Sequence, residues 1–497
     1  MRLTGRNWAA TGAVSADWPW GAAMVAATTL YYVIGPAVPS LIMLAVLAVL
    51  CWRRIGLAIT LIPLSVPFYL VPKSLHAGRR SLDFSLGETV ILLCAAVLAA
   101  QLLLASARRP ERVGLLRYWL PETPFFRPAL LFLAAATLAT AAARFHTTAL
   151  REYREVVLEP LLFFWMVSQR LRGPADAVRL ILALIGAGVV VAAMGVVEIL
   201  FRANDLVVAA NEGGAVQHLV QAVFKDQNSL ALVLDRALPA ALALVLLPGW
   251  AALWAKRDRV IEITRAVQGC LLAASALLLY VLYRTGSRGG EATTAVCLGL
   301  LFLYWQRRRP WVIAAGAVFV AVAALLERHR LHDFLTNGHG LSNLAHTSIW
   351  HSALNMIRDH PVVGVGPDNF LYYYTNDDHC VPGQPHHLAH YYYVQAGSNF
   401  ERCISHPHNL FLDFWLSTGV IGLVAALWLI VLFAGLGLRA WRIAPAEWKG
   451  SITAVLLIMI AMVLHGEVDN SYFLPDLAVF FWLCLGVVTL WEGRGSG

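Results

Sequence analysis

Two histidines stand directly before a long apolar run, in the segment Ser-His-Pro-His-Asn that ends at Asn409. This position predicts that His406 and His408 lie at the start of a helix, with Asn409 beside them. An imidazole accepts a proton near neutral pH, and the positive end of a helix favours its neutral form. The pair is therefore a candidate for proton transfer.

A second set of chemically useful residues is basic and lies near the predicted ends of apolar helices. Guanidinium groups bind phosphate oxygens in a bidentate manner, so a convergent set favours an anionic phosphate ligand over a neutral sugar. For single members of the set, contact with lipid headgroups is the plainer interpretation. The set consists of Arg144, Arg151, Arg154, Arg202, Lys225, Arg284 and Arg288, with Arg236 nearby.

Three segments place these cations in defined local settings. Arg151 and Arg154 enter a helix at 149–167, where the neighbouring Glu152 and Glu155 offer local ion pairs as an alternative role. Lys225 precedes a helix that Asp226 or Asn228 would cap, and the amide groups of that helix end attract anions. In the segment 283–290, Gly286, Gly289 and Gly290 permit a tight turn that directs Arg288 towards the membrane surface, although a solvated arginine in a plain turn fits the same letters.

The composition defines the class of protein. The 497 residues are 59% hydrophobic and only 14% charged, and the apolar runs are long enough to cross ~30 Å of hydrocarbon. The runs do not alternate as β-barrel strands do. The net charge of +8 is spread in short clusters between apolar runs, a pattern typical of membrane topology and not of nucleic-acid binding. We expect an all-α polytopic membrane protein, and the first apolar run has no cleavage site that would make it a signal peptide.

The apolar runs predict about 12 to 14 transmembrane helices. The basic clusters place both termini in the cytoplasm and the long polar segment on the outer face. We divide the chain into a helix bundle at 1–326, a catalytic cap at 327–408 and C-terminal helices at 409–497. The predicted spans are 18–34, 37–52, 55–71, 86–106, 128–143, 156–169, 177–201, 229–254, 267–283, 290–305, 311–326, 409–438, 451–466 and 473–491.

The cap carries most of the histidines, two tyrosine triplets and two cysteines. The apolar residues between Ile349 and Ile357 predict an amphipathic helix lying on the membrane surface. The tyrosines favour an interfacial belt over sugar stacking. In an oxidising compartment Cys380 and Cys403 are candidates for a disulfide, while a zinc site with His379, His386, His387 and His390 is the alternative.

These segments together resemble the O-antigen ligase and polymerase superfamily of bacterial membrane glycosyltransferases. The marks are His408 with Asn409, the segment HPVVGVGPDNF at 360–370, the SRGG turn at 287–290, and HGEVDNSYFLPDLAVFFWLCLG at 465–486. The resemblance covers roughly residues 120–490. A long insert between Phe370 and His406 departs from the common pattern, at the surface where an acceptor would dock.

The resemblance implies transfer of a glycan from undecaprenyl pyrophosphate on the outer face of the inner membrane, without a cofactor or metal and with inversion. The acceptor would be lipid A-core in a ligase, which we favour, or another lipid-linked glycan in an O-antigen or exopolysaccharide polymerase. His408 would accept the proton of the acceptor or orient its hydroxyl group. Arg288, with Arg151, Arg154 and Lys225, would bind the pyrophosphate and offset its charge. A transporter or flippase for lipid-linked glycans is the main non-enzymatic alternative; a membrane scaffold explains neither the outer arginines nor the histidines of the cap.

Overall fold

The apolar runs fold as helices in the computed structural model of the protein. The structure describes residues 17–77, 80–107, 120–121, 123–201, 207–210, 216–248, 260–307, 341–375 and 403–492, with the isolated positions 309, 311, 314, 380, 391 and 392. Outside these residues lie most of the predicted span at 311–326, the start of the cap at 327–340, Arg202, His379, His386, His387 and His390.

Helices account for nearly all of the described secondary structure, which confirms the predicted all-α class. In chain order they are α1 (Trp18–Val33), α2 (Ala37–Arg53), α3 (Ile55–Leu61), α4 (Leu86–Ala107), α5 (Phe126–Ala142), α6 (His146–Glu152), α7 (Glu159–Arg170), α8 (Pro174–Phe201), α9 (Gln227–Leu246), α10 (Val260–Thr285), α11 (Arg288–Gln306), α12 (Leu341–Asp359), α13 (Phe370–Tyr374), α14 (Leu410–Ile443), α15 (Ala446–His465) and α16 (Pro475–Glu492). A π-helical segment, Tyr153–Leu158, joins α6 to α7.

Six of the described helices are long and apolar enough to cross a membrane, or seven if the bent pair α2 and α3 forms one span. The axes of that pair are bent by 118°. The predicted span 55–71 is not a single helix: α3 has seven residues and is followed by two 3₁₀ turns, Ile62–Leu64 and Val66–Phe68. Pro63 and Pro67 explain the difference, because proline has no amide hydrogen and its ring clashes with the preceding helical turn.

Helix α9 is the centre of the bundle and packs against α8, α10, α11 and α15. One end of the bundle, which we call the site end, is formed by the turn 286–290, the loop 466–474 and the segments 220–226 and 405–409. Two short antiparallel hairpins also lie along the chain: β1 (Lys73–Ala77) with β2 (Arg80–Phe84), and β3 (Val207–Ala210) with β4 (Val216–Leu219). Backbone bonds such as that from Val220 to the carbonyl of Arg284, 3.2 Å, tie the connecting segments to the helix ends.

Helix α14 is broken at Gly419, which has a φ of +72°. The break frees backbone groups, and the segment 361–366 satisfies them. The amides of Val365 and Gly366 donate to the carbonyl of Leu416 at 2.8 and 3.1 Å, and the amide of Val420 donates to that of Val362 at 3.1 Å. We call this arrangement the clasp, and it fastens the cap to the membrane bundle.

The clasp also explains two glycines of the segment HPVVGVGPDNF. Gly364 has a φ of +69°, and a Cβ there would lie 2.1 Å from the carbonyl oxygen of Leu416. Gly366 has a φ of +97°, and a Cβ there would lie 2.5 Å from the Cβ of Ala143. The described part of this segment therefore has a structural role in joining cap and bundle.

A second, small hydrophobic core lies between the described cap and α14, and it corrects two predictions. Helix α12 is present, but Ile349, Ala353 and Met356 are buried in this core, which includes Leu416 of α14, and not against a membrane surface. Tyr373 and Tyr374 are buried in the same core instead of forming an interfacial belt. Both patterns were ambiguous because an apolar face looks the same in sequence whether it meets lipid or protein.

Candidate active site

The centre of the candidate site is the contact between His408 and Asp469. His408 lies just before α14, with a φ of +48°, a backbone conformation uncommon for residues other than glycine. Its Nδ1 lies 3.0 Å from Oδ1 of Asp469, which belongs to the loop 466–474 between α15 and α16. Such strained backbone persists only where surrounding contacts impose it, and it is frequent at functional sites.

Neighbouring contacts hold His408 in this position. Asn409 caps α14, because its Oδ1 accepts hydrogen bonds from the amides of Phe411 and Leu412, both at 3.1 Å. Its Nδ2 donates to the backbone carbonyl and to the carboxylate of Glu467, both at 3.3 Å. The amide of Leu410 donates to the carbonyl of Gly466. Three successive residues of the chain therefore bind the loop 466–474.

Two further histidines surround this pair. The His406 ring centroid lies 4.3 Å from that of His408, and its Nε2 lies 3.6 Å from Oδ1 of Asp469. The ring of His346, on α12 of the cap, packs edge-on against His408 with centroids 5.5 Å apart. Burial, together with the neighbouring His408, lowers the pKa of both His406 and His346. The flanking imidazoles are therefore neutral at physiological pH.

Asp469 remains ionised in this setting. Burial alone would raise its pKa, but the imidazoles of His406 and His408 outweigh that effect and hold the pKa of Asp469 well below its ordinary value. An ionised carboxylate can only accept hydrogen bonds, so Nδ1 of His408 carries the proton of the ring. Nε2 is then the nitrogen with a lone pair for a substrate proton.

The same atoms form a candidate cation site. One ligand atom each from His406, His408 and Asp469 lies within 4.8 Å of the other two. Two imidazoles and a carboxylate are a ligand set that zinc and related metals accept. The 3.0 Å separation of His408 and Asp469 also fits a direct hydrogen bond, so both a metal-free dyad and a metal centre are chemically consistent with this arrangement.

The turn that carries Arg288 lies against the same loop. Gly286 has a φ of +65°, and Ser287 caps α11 by accepting a hydrogen bond from the amide of Gly290 at 3.3 Å. A Cβ at Gly289 would lie 2.8 Å from Nε2 of His465 and 3.2 Å from Cγ2 of Val468. The turn and the loop that carries Asp469 are therefore in contact through residues 289, 465 and 468.

Arg288 and Lys225 are exposed cations of the site end. Neither makes an ion pair with any residue that the structure describes. Lys225 stands next to Asp226, which caps α9 by accepting hydrogen bonds from the amide and hydroxyl of Ser229, each at 2.8 Å. Asp226 is thus the capping residue, and Asn228 lies in the first turn of α9 without that role.

Arg151 is paired with an acidic residue of the cap. Its Nη2 lies 2.7 Å from Oδ2 of Asp368, a residue with a φ of +50°. Burial raises the pKa of Asp368 even though Arg151 and Lys225 oppose that effect. Asn369, which is fully buried, accepts a hydrogen bond from the amide of Phe145 at 3.0 Å and fixes this part of the cap on the bundle. Arg151 thus pairs with this carboxylate, and Lys225 acts on it electrostatically.

Arg154 has a different environment from the other predicted phosphate ligands. Its guanidinium lies 2.9 Å from Glu88, 3.0 Å from Glu155 and 3.7 Å from Glu159. These carboxyl groups compete with a pyrophosphate for the guanidinium of Arg154. The local ion-pair interpretation of its sequence context is the one that this geometry favours.

Sequence reasoning assigned no role to a buried polar network beneath the site. Nδ1 of His465 lies 2.6 Å from Oδ2 of Asp235, and both residues are buried. The neighbouring Arg236 is also fully buried and donates to the carbonyl of Leu232 and to the carbonyl and hydroxyl of Ser471. Arg236 therefore fixes the loop 466–474 and is not part of the exposed cationic group. The sequence feature that could have indicated this network is the presence of ionisable residues inside an apolar run.

The cap insert is closed by a disulfide. Cys380 and Cys403 are bonded, with a Cα–Cα distance of 4.9 Å. A disulfide and a zinc site were the two predicted roles of these cysteines, and the structure contains the disulfide. The two cysteines are 23 positions apart in sequence, and the bond ties the insert to the backbone just before His406.

The fold and the site define a polytopic membrane protein with a polar site at one end of its helix bundle. Residues 273–427 match the family model described as O-Antigen ligase. This match supports the resemblance to the O-antigen ligase and polymerase superfamily that the motifs indicated. The matched range includes Arg288, His408 and Asn409, whereas Arg151, Lys225 and Asp469 lie outside it. No curated protein matches the chain.

Proposed function

We propose that this protein transfers a glycan from undecaprenyl pyrophosphate to an acceptor on the periplasmic face of the bacterial inner membrane. The observation that carries the proposal is the His408–Asp469 contact of 3.0 Å beside the turn of Arg288. A proton acceptor and an exposed cation on adjoining segments are what a displacement of pyrophosphate by an alcohol requires. In this arrangement both termini are cytoplasmic.

The reaction follows from the roles of the side chains. Nε2 of His408 takes the proton of the acceptor hydroxyl, and Asp469 stabilises the resulting imidazolium. The acceptor oxygen forms a bond to the anomeric carbon as the bond to the pyrophosphate oxygen breaks, with inversion at that carbon. The electron pair leaves on the pyrophosphate, whose charge Arg288, Lys225 and Arg151 offset. No metal is assigned a step.

A transporter of lipid-linked glycans would also need cations that bind phosphate. Transporters place polar interruptions of their helices near the middle of the membrane, between repeated halves. In this chain the histidine group and the exposed cations gather at the site end, against the described part of the cap. That distribution supports an enzyme that meets its substrates at one membrane face.

The acceptor distinguishes the two members of the superfamily. We favour a ligase, which takes lipid A-core as acceptor, because the ligase motifs are the ones the sequence carries. A polymerase of O-antigen or exopolysaccharide, which extends a lipid-linked glycan, is the second candidate. The insert that the Cys380–Cys403 disulfide closes is the part of the sequence that departs from the common pattern, and we propose that it bears on the choice of acceptor.

Deletion of the gene tests this choice directly. Lipopolysaccharide from the deletion strain is separated on a gel, beside the strain complemented with wild type and with His408→Ala. Loss of every glycan-capped core species, restored by wild type alone, is the result expected for a ligase. Core that bears a single repeat unit indicates a polymerase. An unchanged gel, with surface exopolysaccharide also unchanged, would contradict both.

A further inference from the structure

Three ligand atoms from two separate segments of the chain converge within the candidate site. Nδ1 of His408 and Nε2 of His406 lie 3.0 and 3.6 Å from the same atom, Oδ1 of Asp469. One ligand atom of each residue lies within 4.8 Å of the other two. Tetrahedral zinc with bonds of ~2.0–2.1 Å places neighbouring ligand atoms about 3.3 Å apart. The two nitrogen–oxygen distances lie on either side of that value, so a metal ion fits between these atoms after small side-chain shifts.

Hydrogen bonds from adjacent residues orient two of these ligands. Nδ1 of His406 lies 2.9 Å from Oγ of Ser405, and Oδ1 of Asp469 accepts a hydrogen bond from the amide of Asn470 at 2.7 Å. A proton shared with Ser405 on Nδ1 leaves the lone pair of His406 on Nε2. Histidines and carboxylates that bind metals are held by outer hydrogen bonds of this kind. Ser405 and Asn470 therefore supply the support that metal ligands require.

Nε2 of His406 is a second, independent indication of a ligand. This atom is buried and makes no hydrogen bond with any residue that the structure describes. A lone pair on it faces the carboxylate of Asp469, a repulsive arrangement that a cation between the two atoms reverses. The side chains of His406 and His408 remain 24% and 20% exposed, so an ion has a short path to them from water.

The ligand types select the class of ion. Mg²⁺ and Ca²⁺ prefer sets of oxygen ligands, whereas two imidazoles with one carboxylate suit zinc. We propose that His406, His408 and Asp469 bind Zn²⁺ and that the bound ion inhibits glycan transfer. The inhibition rests on the proposed function, whereas binding of the ion does not.

Inhibition follows from the atom that the ion occupies. In the proposed reaction Nδ1 of His408 carries the ring proton, and Nε2 takes the proton of the acceptor hydroxyl. When Zn²⁺ binds Nδ1, the ring proton moves to Nε2, so the imidazole stays neutral and keeps no lone pair for the acceptor. Asp469 then binds the same ion and no longer stabilises an imidazolium.

Co²⁺ in place of Zn²⁺ measures binding directly, because its visible absorption reports tetrahedral coordination. The purified full chain is stripped with a chelator and dialysed against Co²⁺, and the bound metal is counted by elemental mass spectrometry. Wild type and the control His351→Ala, altered at an exposed position of α12, should each bind an additional ion per chain relative to His406→Ala and Asp469→Ala. Equal cobalt content and equal absorption in all four proteins would overturn the proposal.

Protection of histidines in wild type gives a test that does not depend on how the variants fold. Diethyl pyrocarbonate modifies imidazole nitrogens that carry a lone pair, and mass spectrometry locates the modified residues. Zn²⁺ should slow modification of His406 and His408 several-fold relative to His351, and Mg²⁺ at the same concentration should not. Equal modification of His406 and His408 with and without Zn²⁺ would also overturn the proposal.

Initial rates of glycan transfer separate binding from inhibition. Saturating Zn²⁺ should lower the rate by roughly 10²-fold or more, as loss of a general base does, and excess chelator should restore it. Mg²⁺ should have no such effect. Protection of His406 and His408 by Zn²⁺ without a loss of rate would refute the inhibition. Wild type that forms no glycosidic bond in the absence of Zn²⁺ would refute the proposed function instead, and the cobalt content would still decide whether the metal site exists.

Discussion

Asp469 determines which nitrogen of His408 would accept a proton in the proposed reaction. Its ionised carboxylate holds the proton of the ring on Nδ1, at 3.0 Å, so the lone pair is on Nε2. Protonation of Nε2 then produces an imidazolium beside a fixed negative charge. Without that charge, His408 could adopt the other tautomer and lose its role.

Asp469→Asn should therefore lower kcat by roughly 10²-fold or more. The pair should also stabilise the fold in a pH-dependent way. Because the pKa of Asp469 is lowered in the folded state, its contribution is full above the ordinary aspartate pKa of ~4 and is lost as the pH falls through the lowered value. Thermal unfolding of both proteins in detergent should show a Tm difference at pH 7 that shrinks in strong acid. A difference that grows in acid, or unchanged kcat, would contradict this role.

Arg288 and Arg284 form a matched pair of cations around one turn. Arg284 lies in the last turn of α10, 3.2 Å from the hydroxyl of Tyr280, while Arg288 begins α11 beside the active-site loop. Arg288→Ala should lower kcat/KM by roughly 10²- to 10³-fold, because it removes charge stabilisation of the leaving group. Arg288→Lys should recover part of the rate. Initial rates with a lipid-linked oligosaccharide measure both effects, and Arg284→Ala should stay near wild type. Equal losses for the two alanine variants would argue against a specific role.

At the scale of elements, the clasp between the cap and α14 depends on one glycine in particular. A Cβ at Gly419 would lie 2.1 Å from the carbonyl oxygen of Val362, and its φ of +72° is unfavourable for other residues. The displaced segment is the one that positions Asp368 and Asn369 on the bundle. A substitution at Gly419 should therefore disturb the candidate site, because it displaces this segment of the cap.

Gly419→Ala should destabilise the protein by about 1–3 kcal/mol from backbone strain alone, with a further loss from the clash. Gly435, on the same helix, has open space around its missing side chain. Gly435→Ala should be neutral or stabilising by up to ~1 kcal/mol, since alanine favours a helix. Tm by differential scanning fluorimetry compares the two variants. Equal Tm values would show that the clasp does not hold the cap.

The helices were predictable because an apolar run leaves few structural choices inside a membrane. The predicted spans 37–52 and 86–106 end within one residue of α2 and α4. The break of α14 was not predictable, since the apolar run continues through Gly419 and its partner segment lies far away in sequence. The apolar faces of α12 and α13 were assigned to lipid because sequence does not show which surface covers them.

The site was predictable in part for a similar reason. His408, Arg288 and Lys225 were recognised as polar residues at apolar boundaries. Asp469 was part of the segment 465–486 but was assigned no role. Its contact with His408 could not be predicted because the two residues are 61 positions apart in sequence. Arg154 was grouped with the phosphate ligands because its neighbour Glu88 is distant in sequence.

At the scale of the molecule, the helix ends bring two kinds of surface together. The site end offers a histidine group beside Asp469 and exposed cations, and the apolar helices that carry them are long enough to cross a membrane. A substrate with a charged head and a long hydrocarbon chain matches both surfaces at once. This arrangement links the membrane fold to the proposed reaction.

The most direct test is formation of a new glycosidic bond by the purified protein. Wild type, His408→Ala and the control His351→Ala are incubated in detergent with a lipid-linked oligosaccharide and lipid A-core, and the product is measured by mass spectrometry. His351 lies exposed on α12, so its loss should leave the rate unchanged. We predict product with wild type and His351→Ala, and a rate lower by about 10²- to 10⁴-fold with His408→Ala. Transfer at the wild-type rate by His408→Ala would contradict the account.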